Sequence, residues 1–321
     1  MADTFLEFRN VSKSFRSFRA VDDVSITVPR GHIRAILGEN GAGKSTLIKM
    51  LCGVYASDGG EILIDEENVG NQGPARALAA GVVAIYQEFN LVPQLTVAQN
   101  IFLGRYPTRW GRIDKPQLHR QTRQILDRLG ARIDPGTPVS ALNVAEQQMV
   151  EIAKALSYDL KVLVMDEPTA ALKDTEIEAL FAVIRTLRDE GVTILYISHR
   201  MSEIFTLADS VSVLKDGRHV GTRKVSDVDR DTLVQMMIGR ELASYFPPKA
   251  MKLGPVVFSA KNLHLGKALN VDHLELHAGE IVGLTGLEGQ GQRELVRGLC
   301  GAMPLDDGEV WLGDERLDLS S

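Results

Sequence analysis

Short apolar runs alternate with helix-like segments along the chain as far as about residue 245. The run Val162–Met165 is apolar at every position, which is typical of strands buried on both faces of a parallel sheet. This pattern predicts an α/β fold with a mostly parallel central sheet and flanking helices. The predicted strands are Ile33–Leu37, Val82–Tyr86, Val162–Met165, Thr193–Ile197 and Val211–Leu214, and the predicted helices are Lys44–Leu51, Gln117–Leu129, Ala145–Leu156 and Thr175–Asp189.

The beginning of this pattern returns later in the chain. The stretch that starts at Pro29 reappears in outline from His277, at a constant offset of 248 residues that holds as far as Gly60 and Gly308. Internal similarity at a fixed offset indicates a duplicated unit. We therefore expect a first domain over residues 1–245, a Pro-containing linker over 246–253 and an incomplete second domain over 254–321.

Composition and charge narrow the class of protein. Of the 321 residues, 44% are hydrophobic and 24% are charged, as in a globular protein. The net charge of -6 disfavours nucleic acid as the main partner. The longest uncharged apolar run, Ala77–Tyr86, is too short to span a bilayer, and the acidic N-terminus indicates a cytosolic protein. In a reducing cytosol, Cys52 and Cys300 are expected to be free core thiols.

A glycine-rich segment lies between the first predicted central strand and the first helix. Its sequence, from Gly38 to Thr46, fits the P-loop pattern, in which backbone N–H groups surround phosphate oxygens. Lys44 is expected to reach the terminal phosphates and Ser45 to bind Mg²⁺. The candidate nucleotide-binding residues are Gly38, Asn40, Gly41, Gly43, Lys44, Ser45 and Thr46.

Two acidic residues, Asp166 and Glu167, end the apolar strand VLVM. In isolation, an acid pair after a strand is more often a helix cap. Downstream of a P-loop, the pair indicates catalysis: Asp166 would hold the magnesium shell, and Glu167 would orient or deprotonate the attacking water.

These segments resemble those of ATP-binding cassette (ABC) ATPases in their order and spacing. The resemblance implies a P-loop NTPase fold with an antiparallel β subdomain and a helical subdomain, and it implies ATP and Mg²⁺ as cofactors. It also implies that Phe15 stacks on adenine, that Gln87 senses Mg²⁺ and faces a membrane partner, and that His199 contacts the γ-phosphate. Ser45, Gln87 and Asp166 would hold the metal, the last through water.

The signature loop of this family corresponds to Leu142, Asn143, Val144, Ala145 and Glu146. In the family, the loop completes the ATP site of a second cassette that pairs head to tail with the first. Here Asn143 replaces the usual serine and Glu146 replaces the usual glutamine, and the added carboxylate is expected to weaken that half-site.

The P-loop of the second copy is also altered, because Gln292, Arg293 and Glu294 stand where the first copy has Lys44, Ser45 and Thr46. Hydrolysis of MgATP there is not expected. Head-to-tail pairing would bring the altered P-loop and the altered signature loop into one composite site.

Over essentially its whole length, the chain resembles bacterial twin-cassette subunits that energise uptake of ribose, galactose, xylose or arabinose. That resemblance implies a homodimeric integral membrane permease and, indirectly, a periplasmic solute-binding protein as partners. It also implies a peripheral location on the cytoplasmic face of the inner membrane. Two alternatives stay open: a soluble twin-cassette ATPase associated with ribosomes or DNA, and an ATP-binding remnant without turnover.

Overall fold

The computed structural model of the chain describes residues 4–86, 88–170, 172–239, 253–265, 269–286 and 290–317. The chain divides into two compact units, Met1–Tyr245 and Phe246–Ser321. The predicted linker 246–253 lies almost entirely outside the described residues. The strands of the first unit are β1 (Thr4–Phe15), β2 (Phe18–Pro29), β3 (Ile33–Leu37), β4 (Gly59–Ile64), β5 (Glu67–Asn68), β6 (Val82–Ile85), β7 (Thr108–Arg109), β8 (Arg112–Ile113), β9 (Val162–Asp166), β10 (Thr193–Ile197), β11 (Ser210–Lys215) and β12 (Arg218–Lys224). Its helices are α1 (Lys44–Leu51), α2 (Pro74–Ala79), α3 (Val97–Ile101), α4 (Lys115–Arg128), α5 (Val144–Leu156), α6 (Asp174–Asp189), α7 (Met201–Leu207) and α8 (Arg230–Ile238), with 3₁₀ turns at Val139–Ala141 and Val225–Asp227.

The central sheet of the first unit has the strand order β12-β11-β3-β10-β9-β6. All neighbouring pairs from β11 to β6 are parallel, and only the edge strand β12 is antiparallel. The predicted parallel sheet is therefore confirmed. Because parallel strands carry their carboxyl ends to one edge, the residues that follow β3, β6, β9 and β10 meet there.

Side chains of β9 alternate between two hydrophobic cores on opposite faces of the sheet. On β9, Leu163 and Met165 belong to a core that also contains helices α4, α5 and α6. Val162 and Val164 belong to the other core, which contains α1 and the antiparallel strands β1 and β2. The sheet is thus covered on both faces, which explains why Val162–Met165 of β9 is apolar at every position.

The antiparallel sheet has the order β2-β1-β4-β5, and helices α3, α4 and α5 pack on one another in a helical region. The short hairpin β7–β8 lies between α3 and α4 in the chain. The antiparallel sheet and the helical region match the subdomains that the family resemblance implied.

Capping side chains determine where the helices begin. The prediction starts one helix at Gln117, but the helix begins at Lys115 because the Asp114 carboxylate accepts a hydrogen bond from the Gln117 N–H. Helix α5 likewise begins at Val144, one residue earlier than predicted, after the capping residue Asn143. Side chains that satisfy the first free N–H groups of a helix extend it toward the cap.

The second unit contains β13 (Val256–Leu265), β14 (Leu269–His277), α9 (Gln292–Leu299), β15 (Asp307–Leu312) and β16 (Glu315–Leu317). Its antiparallel sheet has the order β14-β13-β15-β16. Residues 281–286 form no strand, and Ile281 is 98% exposed. No described strand of this unit pairs with them, and an unpaired strand is unstable in water.

The two cysteines are free thiols. Burial raises the pKa of the Cys52 thiol to about 11. Cys300 is exposed, so the prediction that it lies in a core is wrong.

Among the described residues, no helix is long and apolar enough to cross a membrane.

Candidate nucleotide-binding site

The P-loop connects β3 to α1 and turns sharply at glycines. Gly38 and Gly43 have φ values of 156° and 98°. A Cβ atom on Gly38 would lie 2.4 Å from the Leu214 carbonyl oxygen, and one on Gly43 would lie 2.5 Å from that of Ala20. Only glycine fits these two positions, since the backbone approaches its neighbours too closely for a side chain.

The side chain of Lys44 folds back over the loop. Its ammonium group donates hydrogen bonds to the carbonyl oxygens of Gly38 at 2.7 Å and Glu39 at 2.9 Å. Partial burial lowers the pKa of Lys44, and the nearby carboxylates of Asp166 and Glu167 oppose this shift. The cation thus lies beside the loop that would hold phosphates.

Asp166 and Glu167 lie at the carboxyl end of β9, next to the end of β10. The N–H of Glu167 donates to the carbonyl of Ile197 at 2.9 Å, and Glu167 has a left-handed φ of 49°. This turn carries the carboxylate of Glu167 to 3.0 Å from Nδ1 of His199. A left-handed conformation at a non-glycine residue is uncommon and is often found at functional sites.

A cavity of about 420 Å³ opens at this edge of the sheet. It brings together P-loop residues and both acidic residues, and it also includes an aromatic side chain, Phe18, that the sequence analysis did not select. Its lining residues are Phe18, Ala20, Asn40, Gly41, Ala42, Gly43, Lys44, Ser45, Thr46, Asp166, Glu167 and Ile197.

The donor groups in this cavity fit a magnesium ion. The hydroxyl of Ser45 and the carboxylate of Asp166 line the same space, and Mg²⁺ prefers such oxygen ligands. Burial, and then the charge of Glu167, raise the pKa of Asp166. A divalent cation would offset the two closely placed negative charges that cause part of this shift.

Comparisons with known proteins agree with this geometry. Residues 21–170 match the ABC transporter family. A nucleotide-free ATP-binding cassette from an ABC transporter has a TM-score of 0.66 and 26% identity to this chain, covering 74% of this chain and 100% of that one. The fold is that of an ATP-binding cassette. A second cassette, solved in its ADP conformation, has a TM-score of 0.66 and 27% identity, with 74% and 99% of the two chains covered.

Curated relatives match the cassette and continue through the second unit. A ribose import ATP-binding protein of Rubrobacter xylanophilus is 48% identical over 305 residues, or 95% of this chain and 61% of that protein. A galactose/methyl galactoside import ATP-binding protein of Photobacterium profundum is 42% identical over 323 residues, or 100% of this chain and 65% of that protein. The chain therefore spans about three fifths of the length of these relatives.

Two aromatic residues flank the tip of the first hairpin of the cassette. Phe15 and Phe18 are paired in register, but only Phe18 lines the cavity. The ring of Phe15 packs edge-on against Tyr55, with centroids 5.1 Å apart. The motif VSKSF drew attention to Phe15. Phe18 belongs to no sequence motif, and only the folded hairpin places its ring at the cavity.

The predicted sensor Gln87 lies outside the described residues, but the segment that follows it is anchored by α5. The carboxylate of Glu151 accepts a hydrogen bond from the N–H of Asn90 at 2.7 Å, and Lys154 donates to the carbonyl of Asn90 at 2.8 Å. Burial raises the pKa of Glu151. Helix α5, which begins at the predicted signature loop, thus also fixes the chain beyond Gln87.

The predicted signature loop, residues 142–146, forms a capping box at the start of α5. The side chain of Asn143 accepts from the N–H of Glu146, and the carboxylate of Glu146 accepts from the N–H of Asn143, both at 2.9 Å. None of the five residues lines the cavity of this chain. The carboxylate added at position 146 is held against the first turn of α5, where it binds an N–H group.

A buried network that the sequence did not reveal joins the loop after β9, which carries Glu167, to the loop after β10, which carries His199. Glu203 on α7 is 4% exposed and accepts hydrogen bonds from Thr169 at 2.7 Å, Tyr196 at 2.8 Å and Ser198 at 2.7 Å. Thr169 lies two residues after Glu167, and Ser198 directly precedes His199. One carboxylate therefore positions the loops that carry both groups.

Proposed function

We propose that the chain binds MgATP and hydrolyses it to energise import of a monosaccharide or similar solute through a partner permease. The observation that carries the proposal is the convergence of Lys44, Asp166, Glu167 and His199 on one edge of the sheet, around a P-loop. Nucleotide binding alone would not require the contact between the Glu167 carboxylate and His199 at that edge.

The residues around the cavity would have separate roles in hydrolysis. The P-loop amides and Lys44 would bind phosphate oxygens and stabilise the charge that grows in the transition state. Ser45 and Asp166 would hold Mg²⁺, which neutralises phosphate charge when bound. The carboxylate of Glu167 would accept a proton from the attacking water, and His199, 3.0 Å from it, would keep this carboxylate in place.

Completion of the site requires a second cassette that pairs head to tail with the first. The signature loop 142–146 lies outside its own cavity, which agrees with a role at the ATP of the partner cassette. The capping box uses the N–H of Asn143 and the N–H of Glu146 within the loop. Donors satisfied in this way are less available to a γ-phosphate, so this loop would form the weaker of two composite sites.

The second unit fits an incomplete second cassette. Helix α9 (Gln292–Leu299) begins and ends 248 residues after α1, and its cap Gly291 has a φ of 95°, close to the 98° of Gly43. The strand orders β14-β13-β15-β16 and β2-β1-β4-β5 also correspond. With Gln292 and Arg293 in place of the lysine and serine, this unit would not hydrolyse MgATP.

A sugar is proposed as the cargo because the relatives named above are ribose and galactose import proteins. The solute itself would be selected by a homodimeric permease and a periplasmic binding protein, with this chain peripheral on the cytoplasmic face of the inner membrane. Which sugar is carried is a property of those partners.

Uptake in the source organism tests this function. A strain that lacks the gene should take up labelled ribose or galactose more slowly, and the restored wild-type gene, but not a Lys44→Ala variant, should recover uptake. Normal uptake of monosaccharides in the deleted strain, together with recovery of the chain on ribosomes or DNA, would favour the soluble ATPase instead.

A further inference from the structure

The hairpin β7–β8, residues 108–113, carries the most exposed large aromatic side chain of the cassette. Trp110 occupies the tip of the hairpin and is 90% exposed. Trp110 and Gly111 have φ values of 57° and 75°, as in the two-residue turns that join antiparallel strands. We call residues 108–113 the Trp110 hairpin.

Three local features of this hairpin are unfavourable for folding. The left-handed turn position of Trp110 is normally occupied by asparagine, aspartate or glycine, because a bulky side chain is strained there. Arg109 and Arg112 stand directly opposite each other in the register, where like charges repel. Each strand has only two residues, and so short a hairpin has little stability of its own. Local rules broken without a gain in packing indicate a functional site.

The charge around the hairpin is opposite to that of the whole chain. Residues 103–123 contain five arginines, one lysine and one aspartate, a net charge of +5 in a chain whose net charge is -6. Within the described part of the chain, neither Arg109 nor Arg112 forms an ion pair with a carboxylate. The exposed hydrophobic residue Ile113 lies beside them.

We propose that the Trp110 hairpin contacts an anionic membrane surface, with the indole at the level of the lipid headgroups and Arg109 and Arg112 on lipid phosphates. Tryptophan is enriched at membrane interfaces because its ring is amphipathic, and arginine binds phosphate oxygens through two parallel hydrogen bonds. A tip of a few residues is too small for a stable protein interface, which buries about 800 Å² on each partner. A lipid surface requires no complementary pocket.

This inference deepens the proposed function, since a hairpin that binds lipid would orient the cassette beside its permease, but its test does not depend on ATP. The chain has two tryptophans, so Trp311→Phe leaves Trp110 as the sole tryptophan. Its fluorescence is measured with vesicles of phosphatidylcholine alone and with vesicles that contain phosphatidylglycerol. We expect a blue shift, and quenching by brominated lipid, only with the anionic vesicles.

Charge-matched variants separate local contact from general attraction. Each arginine near an anionic surface contributes about 1 kcal/mol, which is about fivefold in affinity. The double variant Arg109→Ser with Arg112→Ser should therefore weaken vesicle binding about 25-fold, whereas Arg223→Ser with Arg230→Ser, at exposed sites outside the hairpin, should leave it unchanged. In Trp110→Ala with Trp311 retained, the blue shift should disappear.

Three results would overturn the lipid contact. They are an unchanged Trp110 spectrum with anionic vesicles, equal binding to neutral and anionic vesicles, and equal losses in the two double-arginine variants. Loss of coupling to a permease in Trp110→Ala, without any change in vesicle binding, would assign the hairpin to a protein partner instead. Failure of ATP hydrolysis with intact vesicle binding would contradict the proposed function but not this inference.

Discussion

Asp166 illustrates how a residue proposed to hold Mg²⁺ can lower the stability of the fold that carries it. Burial and the neighbouring Glu167 carboxylate raise its pKa, so the folded protein holds this proton more tightly than the unfolded chain does. An acid with a raised pKa contributes most stability at low pH, and that contribution is lost as the pH rises through the folded pKa. At neutral pH, the ionised side chain is therefore a net cost to the fold.

Replacement of Asp166 by asparagine should raise the melting temperature at neutral pH, measured without nucleotide or Mg²⁺. The gain should shrink as the pH falls and vanish below the ordinary aspartate pKa of about 3.9, because the carboxyl is then protonated in both states. Asp189→Asn, at an exposed site, is the matched control and should change little at any pH. A destabilised Asp166→Asn protein at neutral pH would contradict the proposed electrostatic cost.

A substitution at Glu167 tests the hydrolysis step separately from ATP binding. Glu167→Gln keeps the size of the side chain but removes the proton acceptor, so we expect kcat to fall roughly 10²- to 10⁴-fold with little change in ATP affinity. Phosphate release and nucleotide titration measure the two effects. The control Glu178→Gln changes an exposed carboxylate on α6 and should keep the parent rate. If Glu167→Gln hydrolysed ATP at that rate, another group would be the base.

At the scale of elements, the hydrophobic pattern predicted the central sheet correctly. It could not reveal the contacts that position the loops carrying Glu167 and His199. The first four residues of β9 are buried, with side chains on both faces of the sheet, and all four are apolar. Glu203, by contrast, occurs in the short helical sequence MSEIF, where a glutamate is expected on a solvated face. Only the folded topology brings Thr169, 34 residues away, to its carboxylate.

The buried carboxylate of Glu203 should affect turnover through geometry. In Glu203→Gln, the amide has one acceptor oxygen for three hydroxyl donors, so the loops that carry Glu167 and His199 should lose their fixed spacing. We expect kcat to fall roughly tenfold to hundredfold while ATP affinity is kept. Tyr196→Phe removes a single donor and leaves the carboxylate, so its effect should be near 1 kcal/mol in stability and small in kcat. A lower ATP affinity with unchanged kcat would argue against this positioning role.

The capping box of α5 allows the signature loop to be altered without loss of the helix. Serine is as good a capping residue as asparagine, so Asn143→Ser should leave the melting temperature nearly unchanged, whereas Asn143→Ala should cost about 1 kcal/mol. Asn143→Ser also supplies the hydroxyl that the family uses at the partner's ATP. ATPase activity measured against protein concentration should therefore rise in Asn143→Ser. Unchanged activity would contradict a role for residue 143 in a composite site.

At the scale of the whole molecule, the candidate nucleotide cavity is lined by residues of the first unit. Every residue that lines the cavity lies between Phe18 and Ile197. The sequence motifs located this site because a P-loop keeps its functional groups close together in the chain. They did not select Phe18 or the Trp110 hairpin, since a single aromatic residue in or beside a turn carries no periodic signal. The role of such residues depends on what surrounds them in space.

MgATP should accordingly stabilise the first unit and leave the second unchanged. At a concentration about 100 times Kd, a ligand that binds only the folded state adds about 2.7 kcal/mol, or roughly 5–10 °C for a unit of this size. Hydrogen exchange should show the added protection in peptides around residues 38–46 and 166–167, but not around 281–301. Lys44→Ala should abolish the shift, whereas Gln292→Ala at the corresponding position of α9 should retain it. Loss of the shift in Gln292→Ala would mean that the second unit contributes to nucleotide binding, and the proposed asymmetry between the two P-loop segments would be wrong.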